Sequence, residues 1–403
     1  MRLGLDVLIS EQPHLLRGRR VGLITNPTGV DADLVPTIER LQALEGVTLV
    51  ALYGPEHGVR GNAQAGEYVP FYFDEQLRLP VFSLYGQSQK PPAGFLTDID
   101  SIMRAYDTQA AGKTVERAML PGIDVLVFDL QDVGTRVYTY VATMAYAMQA
   151  AAENGIPFIV LDRPNPLNGL AMEGPVLEYP AQSSFIGLYP VPLRHGMTAG
   201  ELARLFNAHF LSSRVDLTVV PMQGWARADY FDATGLPWVL PSPNLPTFDA
   251  AIVYPGQVML EGTNLSEGRG TTKPFELFGA PWLDGYELAA ELNALDLPGV
   301  RLREAWFTPT FSKHSGLRCG GCQLHVRDRA AFRPIKTTLA VLAVIRRLSG
   351  SQLAFHATYF DHVLGTASVR EALERGESGA LIAPRWAKDL ADFASLRAPG
   401  LLY

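Results

Sequence analysis

The sequence predicts an α/β protein in which a mostly parallel sheet is covered by helices and followed by a smaller α+β unit. Three observations carry this. Short β-branched apolar runs recur through the first two thirds of the chain, and segments with helical spacing lie between them. The runs are continuously apolar rather than alternating, as strands buried on both faces require. At 403 residues the chain exceeds one comfortable core, so two units are expected.

Arg19 to Thr25 and Val47 to Tyr53 read as strands on either side of a helical segment from Asp33 to Leu44, which makes a βαβ unit. Further strands are expected at Pro80 to Leu84, Ile123 to Leu130 and Pro157 to Asp162, with an Ala- and Met-rich helix from Val141 to Asn154 between the last two. Thr198 to Phe210 reads as a helix capped by Thr198, with Glu201 completing a capping box. Leu217 to Val220 and Ala251 to Tyr254 are the last strands expected in this unit. After Phe278-Gly279-Ala280-Pro281-Trp282 the texture changes. Helices at Gly285 to Leu295, Pro334 to Leu348 and Val369 to Arg375 alternate with short strands near Val300 and Leu324. The boundary falls around Gly279 to Gly285, giving a first unit of residues 1–280 and a smaller second unit of residues 281–403.

The chain is 47% hydrophobic and 19% charged, which suits a folded enzyme rather than a disordered or repeat protein. A formal charge of -7 without clustered Lys and Arg argues against nucleic acid and leaves small molecules or glycans as partners, for a monomer or a homodimer. No run approaches the roughly 18 apolar residues of a membrane span. The start, Met1-Arg2-Leu3-Gly4-Leu5-Asp6, lacks the pattern of a secretory signal. The chain as written is therefore expected to be cytoplasmic, with export if the true start lies upstream. Cys319 and Cys322 frame a Cys-Gly-Gly-Cys that, with His314 and His325, has the ligand types of a tetrahedral metal site. The residues after Cys322 alternate like a strand, however, and an inert reduced pair is the expectation.

Chemistry is expected in the loops that follow the strands, because ligands of open α/β sheets bind beyond the strands' carboxyl ends. Gly54-Pro55-Glu56-His57-Gly58 runs from an apolar strand straight into an acid and an imidazole between glycines, so Glu56 is the first catalytic candidate. The next loops give the run Asp129 to Tyr140, with Asp132, Arg136 and Tyr138, and the run Asp162-Arg163-Pro164-Asn165-Pro166. Arg136 and Arg163 are natural forks for a carboxylate, although Asp paired to Arg is equally a structural brace. His195 precedes a helix, near positive backbone dipoles. Asn244 sits in the Pro-fixed loop Pro241 to Thr247, suited to bonding a hydroxyl or acetamide. Glu261 to Thr272 crowds Glu261, Asn264, Glu267 and Arg269 among glycines, a polar run with little to bury.

Familiar cofactor chemistries are unsupported. Thr25-Asn26-Pro27-Thr28-Gly29 stands where a Gly-x-Gly-x-x-Gly would, and there is no Walker loop, Gly-x-Ser-x-Gly elbow or His-Glu-x-x-His pair. No cofactor and no metal are expected. The inventory of carboxylates, Arg, Asn, Tyr and hydroxyls suits glycoside cleavage, in which one acid protonates the leaving oxygen and a second group stabilises or attacks the anomeric centre.

Taken in order, GPEHG at Gly54 to Gly58, FDLQDVGTRVYTY at Phe128 to Tyr140, DRPNP at Asp162 to Pro166, RHGMT at Arg194 to Thr198, PSPNLPT at Pro241 to Thr247 and EGTNLSEGRGTTKPFE at Glu261 to Glu276 resemble the exo-β-N-acetylmuramidase (NamZ) family over nearly the whole chain. The resemblance implies a Rossmann-like N-terminal catalytic domain, a smaller C-terminal domain and a cleft between them. It also implies removal of terminal N-acetylmuramic acid (MurNAc) from the non-reducing end of peptidoglycan fragments such as MurNAc-GlcNAc saccharides, in cell-wall turnover or muropeptide recycling. On this resemblance Glu56 becomes the general acid with His57 beside it, and Glu267 the next catalytic carboxylate, followed by Glu261, Asp129 and Asp132. Arg163, Arg269 or Arg136 would grip the anionic lactyl group, and Asn244 or Asn264 the N-acetyl group. Attack by the substrate's own acetamido group, direct attack by water and elimination all remain open. Two other classes fit the residues less fully: a metal-assisted amidase or deacetylase using Glu56 and His57, and a non-catalytic peptidoglycan-binding protein.

Overall fold

The computed structural model describes residues 1–85 and 122–403. Among these, one seven-stranded sheet organises the N-terminal part. Its strands are β1 (Arg20–Thr25), β2 (Thr48–Gly54), β3 (Tyr72–Asp74), β4 (Leu79–Ser83), β5 (Val125–Asp129), β6 (Phe158–Leu161) and β9 (Leu217–Val220), in the order β3-β4-β2-β1-β5-β6-β9. Every pairing is parallel except the edge pair β3–β4. From β1 the chain builds outward through β2 to β4, then returns to add β5 on the opposite side. The loops after β2 and β5 therefore meet over β1, at a topological switch point.

Strand alternation explains why these runs are apolar throughout. Val125 and Val127 face one core together with Leu5 and Leu8 of the helix Gly4–Glu11 and Leu41 of the helix Thr37–Gln42. Leu126 and Phe128 face the other, against Met144 and Met148 of the helix Tyr140–Glu153 and Leu202 of the helix Ala199–His209. Each such fully buried side chain contributes about 1.5–3 kcal/mol of transfer free energy. The capping box of the helix Ala199–His209 forms as the sequence predicts: Glu201 N donates to Thr198 Oγ1 at 3.2 Å, and Thr198 N to Glu201 Oε2 at 3.0 Å.

Two elements differ from expectation. Ala251 to Tyr254 is not a strand but part of the helix Phe248–Gln257, capped by Thr247. A short apolar run buried all round carries no period that separates strand from helix. Here residues 250–257 are all buried, and Gly256 packs so close to the helix Pro334–Ser349 that a Cβ would lie 2.1 Å from Pro334 O. The helix expected from Asp33 shortens to Thr37–Gln42, because Asp31 Oδ1 accepts the N–H groups of Asp33 and Val35 in a turn ahead of Pro36.

A hairpin of β7 (Glu173–Val176) and β8 (Pro192–Arg194) projects beside the sheet. The C-terminal part is built on an antiparallel sheet of β10 (Leu277–Ala280), β12 (Cys319–Val326) and β11 (Val300–Phe307), in that order, with helices packed on it. Its core is continuous with that of the first sheet, since Phe278, Leu288, Ile335 and Leu339 join the cluster containing Phe128 and Met144. Cys319 and Cys322 both lie in β12, three residues apart, so their side chains leave opposite faces of the strand. The glycines between them are there for packing: a Cβ on Gly321 would meet Phe278 O at 2.0 Å, and one on Gly320 would meet Leu283 O at 2.3 Å. Burial pushes the Cys322 thiol up to about 12.

Candidate active site

The loop after β2 turns sharply. His57 and Gly58 both take left-handed backbone conformations, with φ of 74° and 75°, and Gly54 lies against Val59 N, where a Cβ would sit at 2.8 Å. This turn presents Glu56 to a cavity of about 340 Å³ while leaving it only 8% exposed. Two bonds fix the carboxyl: Thr139 Oγ1, from the loop after β5, donates to Oε2 at 2.7 Å, and Gly66 N donates to Oε1 at 3.0 Å. The Tyr85 phenol lies against it, pushed up to about 12 by burial and then by the Glu56 charge.

His57 lines the same cavity. Its Nδ1 donates to Ala63 O at 2.8 Å, which fixes the tautomer and leaves Nε2 an acceptor. Burial pushes its imidazolium below the usual histidine range, against the opposing pull of Glu56. The unfolded chain therefore takes up a proton here before the folded protein does, and stability falls as the pH drops below the ordinary value of 6.5. His57→Gln should flatten the loss of denaturant midpoint between about pH 7.5 and about pH 5.5, with the wild type losing more.

The cavity's far wall comes from the loop that follows the helix Phe248–Gln257 and from the C-terminal part. Arg269 Nη2 donates to Glu261 Oε1 at 2.6 Å, and Tyr359, on the helix Ala357–Leu364, donates its hydroxyl to Glu261 Oε2 at 2.8 Å. Tyr138, Tyr254, Ser242 and Phe275 also line it. Tyr138 Oη lies beside the Ser242 and Tyr140 hydroxyls without a well-formed hydrogen bond to either, and burial raises its phenol well above the usual tyrosine range.

Glu56, His57, Tyr138, Glu261 and Arg269 are thus brought together, and the other candidates are placed elsewhere. Glu267 sits one layer behind, 2% exposed, against Arg269 Nε at 3.3 Å and Lys313 Nζ at 3.1 Å. Asn244 donates to Gln64 Oε1 at 3.1 Å and so buttresses the segment that supplies Gly66. Asn264 ties the loop to the C-terminal part, its Nδ2 donating to Gln352 O and its Oδ1 accepting from Ala354 N. Asp129 and Arg163 are a buried pair, Arg163 Nη2 donating to Asp129 Oδ2 at 2.9 Å, with Thr37 Oγ1 donating to the same carboxylate. His195 is fully buried and accepts from Met197 N through Nδ1. The helix start beside it is no anion site, because the Asp162 carboxylate already accepts from Gly200 N at 2.8 Å and Thr198 Oγ1 at 2.7 Å. Asp132 accepts from Gly134 N, with His195 Nε2 3.5 Å away.

Arg136 is likewise no fork for a ligand. Its guanidinium donates to Pro175 O at 3.0 Å, Val191 O at 2.7 Å and Val363 O at 2.9 Å, which ties the N-terminal loop to the helix Ala357–Leu364. Burial pulls it down to about 9, so it is still charged at neutral pH. Arg136→Ala strands three carbonyls and should destabilise the protein by about 2–3 kcal/mol in denaturant titrations. The KM of the folded fraction should not move.

The residues missed from sequence were Thr139, Tyr85, Tyr254 and Tyr359. Thr139 lay inside a motif already singled out, but nothing local marks it as the partner of Glu56. Tyr359 comes from the C-terminal part, in a run with no motif. A larger groove of about 640 Å³, between the helices Gly285–Ala294 and Pro334–Ser349, has a mostly apolar floor and none of the candidate residues. Among the described residues, no three His, Cys, Asp or Glu side chains cluster as a metal site would require. No helix among them is long and apolar enough to cross a membrane.

Comparison with known proteins gives one consistent relationship. The family model described as "Exo-beta-N-acetylmuramidase NamZ, N-terminal" matches residues 21–115 and 102–249, and the one described as "Exo-beta-N-acetylmuramidase NamZ, C-terminal" matches residues 252–403. The Peptidoglycan beta-N-acetylmuramidase NamZ of Bacillus subtilis (strain 168) is 50% identical, over 100% of this chain and 91% of its own length. A DUF1343 family protein from Bacteroides fragilis superposes with a TM-score of 0.87 at 38% identity, covering 100% of this chain and 98% of that one. A second DUF1343 protein from the same organism gives a TM-score of 0.75 at 28% identity, with the same coverage.

Proposed function

The chain belongs to the exo-β-N-acetylmuramidase NamZ family, and from that premise we propose how its cavity carries out the reaction. The protein is a glycoside hydrolase that acts on peptidoglycan fragments, releasing MurNAc from their non-reducing ends. Glu56 is the general acid. The observation that carries this assignment is that Glu56 has no cationic partner among the described residues, whereas Glu261 is committed to Arg269 and Tyr359. As the bond between the anomeric carbon and the bridging oxygen breaks, the Glu56 proton passes to that oxygen, which leaves as the hydroxyl of the next sugar. Water supplies the hydroxyl that ends on the anomeric carbon, and its other proton returns Glu56 to the acid form.

A volume of about 340 Å³ lies at the small end of the roughly 300–1,000 Å³ of small-molecule sites, which supports a pocket for one terminal sugar rather than a groove for a chain. Of the three arginines expected to read the lactyl carboxylate, Arg269 alone lines the cavity, and it takes that role. Its Nη1 makes no hydrogen bond among the described residues, while its Nη2 and Nε are turned to Glu261 and Glu267. The test is incubation with MurNAc-GlcNAc in heavy-oxygen water. The label should appear on the released MurNAc, and an unlabelled, unsaturated product would rule out hydrolysis.

A further inference from the structure

Among the described residues, the one arginine lining the cavity sits in a cluster of four charges, and the fourth comes from the C-terminal part. Lys313 lies on the loop between β11 and β12. Its ammonium donates to the carbonyls of Leu260 at 2.7 Å, Glu261 at 3.1 Å and Leu265 at 3.0 Å. It also lies 3.1 Å from Glu267 Oε2, a buried oxygen with no aligned hydrogen bond of its own. The loop is locked onto the same segment. Thr310 N donates to Gly270 O at 2.9 Å, and Gly270, at φ 78°, leaves no room for a Cβ, which would lie 2.6 Å from Phe311 O. His314 Nε2 donates to Asn264 O at 2.7 Å.

Charge balance gives this arrangement a consequence for the substrate. Glu261 and Glu267 share Arg269, so these three groups alone carry a net negative charge beside the place where an anion has to bind. Lys313 cancels it. We propose that Lys313 is a positioning residue for recognition of the substrate's carboxylate: by neutralising Glu267 from behind, it leaves Arg269 Nη1 to the cavity and keeps the cluster from repelling an anionic sugar. This rests on the assignment of Arg269 to the lactyl group. It also gives the C-terminal part a role in specificity, delivered by a side chain that stays outside the cavity.

The experiment compares a chromogenic MurNAc glycoside with the analogue whose lactyl carboxylate is a carboxamide, in Lys313→Met, Lys313→Arg, Glu267→Gln, Arg269→Gln and the double variant Lys313→Met with Glu267→Gln. Lys313→Met should raise KM for the acid about 10- to 100-fold, with kcat and the carboxamide's KM nearly unchanged. Lys313→Arg should keep most of the affinity, and the double variant should regain it because the cluster is neutral again. A purely structural lysine would raise KM for both substrates alike and would not be rescued by removing a carboxylate, and either result overturns the proposal. If Lys313→Met does not fold, Glu267→Gln alone carries the test, since it should lower KM for the acid selectively; an unchanged or higher value overturns the proposal. Should Arg269→Gln leave the preference for the acid intact, the Arg269 assignment fails and this inference goes with it. Should Arg269→Gln abolish the preference while Lys313→Met does not, the inference fails alone.

Discussion

Glu56→Gln should lower kcat on a MurNAc glycoside by about 10³-fold, within the roughly 10²–10⁴ that a positioned general acid contributes, with KM and the unfolding midpoint nearly unchanged. The substitution keeps the shape and most of the bonding. A glutamine oxygen still accepts from Gly66 N, and the Thr139 hydroxyl can turn to accept from the new amide. Only the transferable proton is lost. A glycoside whose leaving group needs no protonation should recover much of the lost rate, which separates loss of acid catalysis from loss of binding. A variant retaining more than about a tenth of wild-type kcat on the natural disaccharide would remove Glu56 from the proton transfer.

Asp129→Asn should destabilise the protein by about 3–5 kcal/mol, because it leaves the Arg163 guanidinium buried without its counter-charge. Asp129 is fully buried at the end of β5 and also accepts from Thr37, so the loss falls where β5 and the helix Thr37–Gln42 meet. Replacing both partners with apolar residues, Asp129→Leu with Arg163→Met, should recover part of that loss, since breaking such a pair is worse than removing it. The readout is the denaturant midpoint, with KM of the folded enzyme as control. A raised KM at an unchanged midpoint would return both residues to the substrate site.

The sequence signals of Asp129, Arg163 and Arg136 were as strong as that of Glu56. All four are charged residues in polar loops beyond strand ends, and a local reading ranks them together. What separates them is partner geometry. Arg163 faces Asp129, Arg136 faces three carbonyls, and Glu56 meets hydroxyls and a backbone N–H but no cation among the described residues. The Cys-Gly-Gly-Cys run, expected to be an inert reduced pair at a strand entrance, lies buried in β12, where its glycines serve close packing against β10 and Leu283. The apolar run Ala251 to Tyr254 carried no period at all.

By itself the sequence determined the alternation of strands and helices, the capping box at Thr198, the family and the sharp glycine-bound turn that presents Glu56. The elements, the cap and the turn are each encoded within a few residues of chain, by side-chain period, cap chemistry and the backbone freedom of glycine, and the family by six short motifs taken in order. Only the tertiary structure decided which loops share a cavity: Thr139 reaching Glu56 across 83 positions, Tyr359 closing on Glu261 and Lys313 closing on Glu267. A charge in a loop becomes a brace or an active group according to what lies opposite it, and that partner comes from a distant part of the chain, beyond the reach of any local pattern.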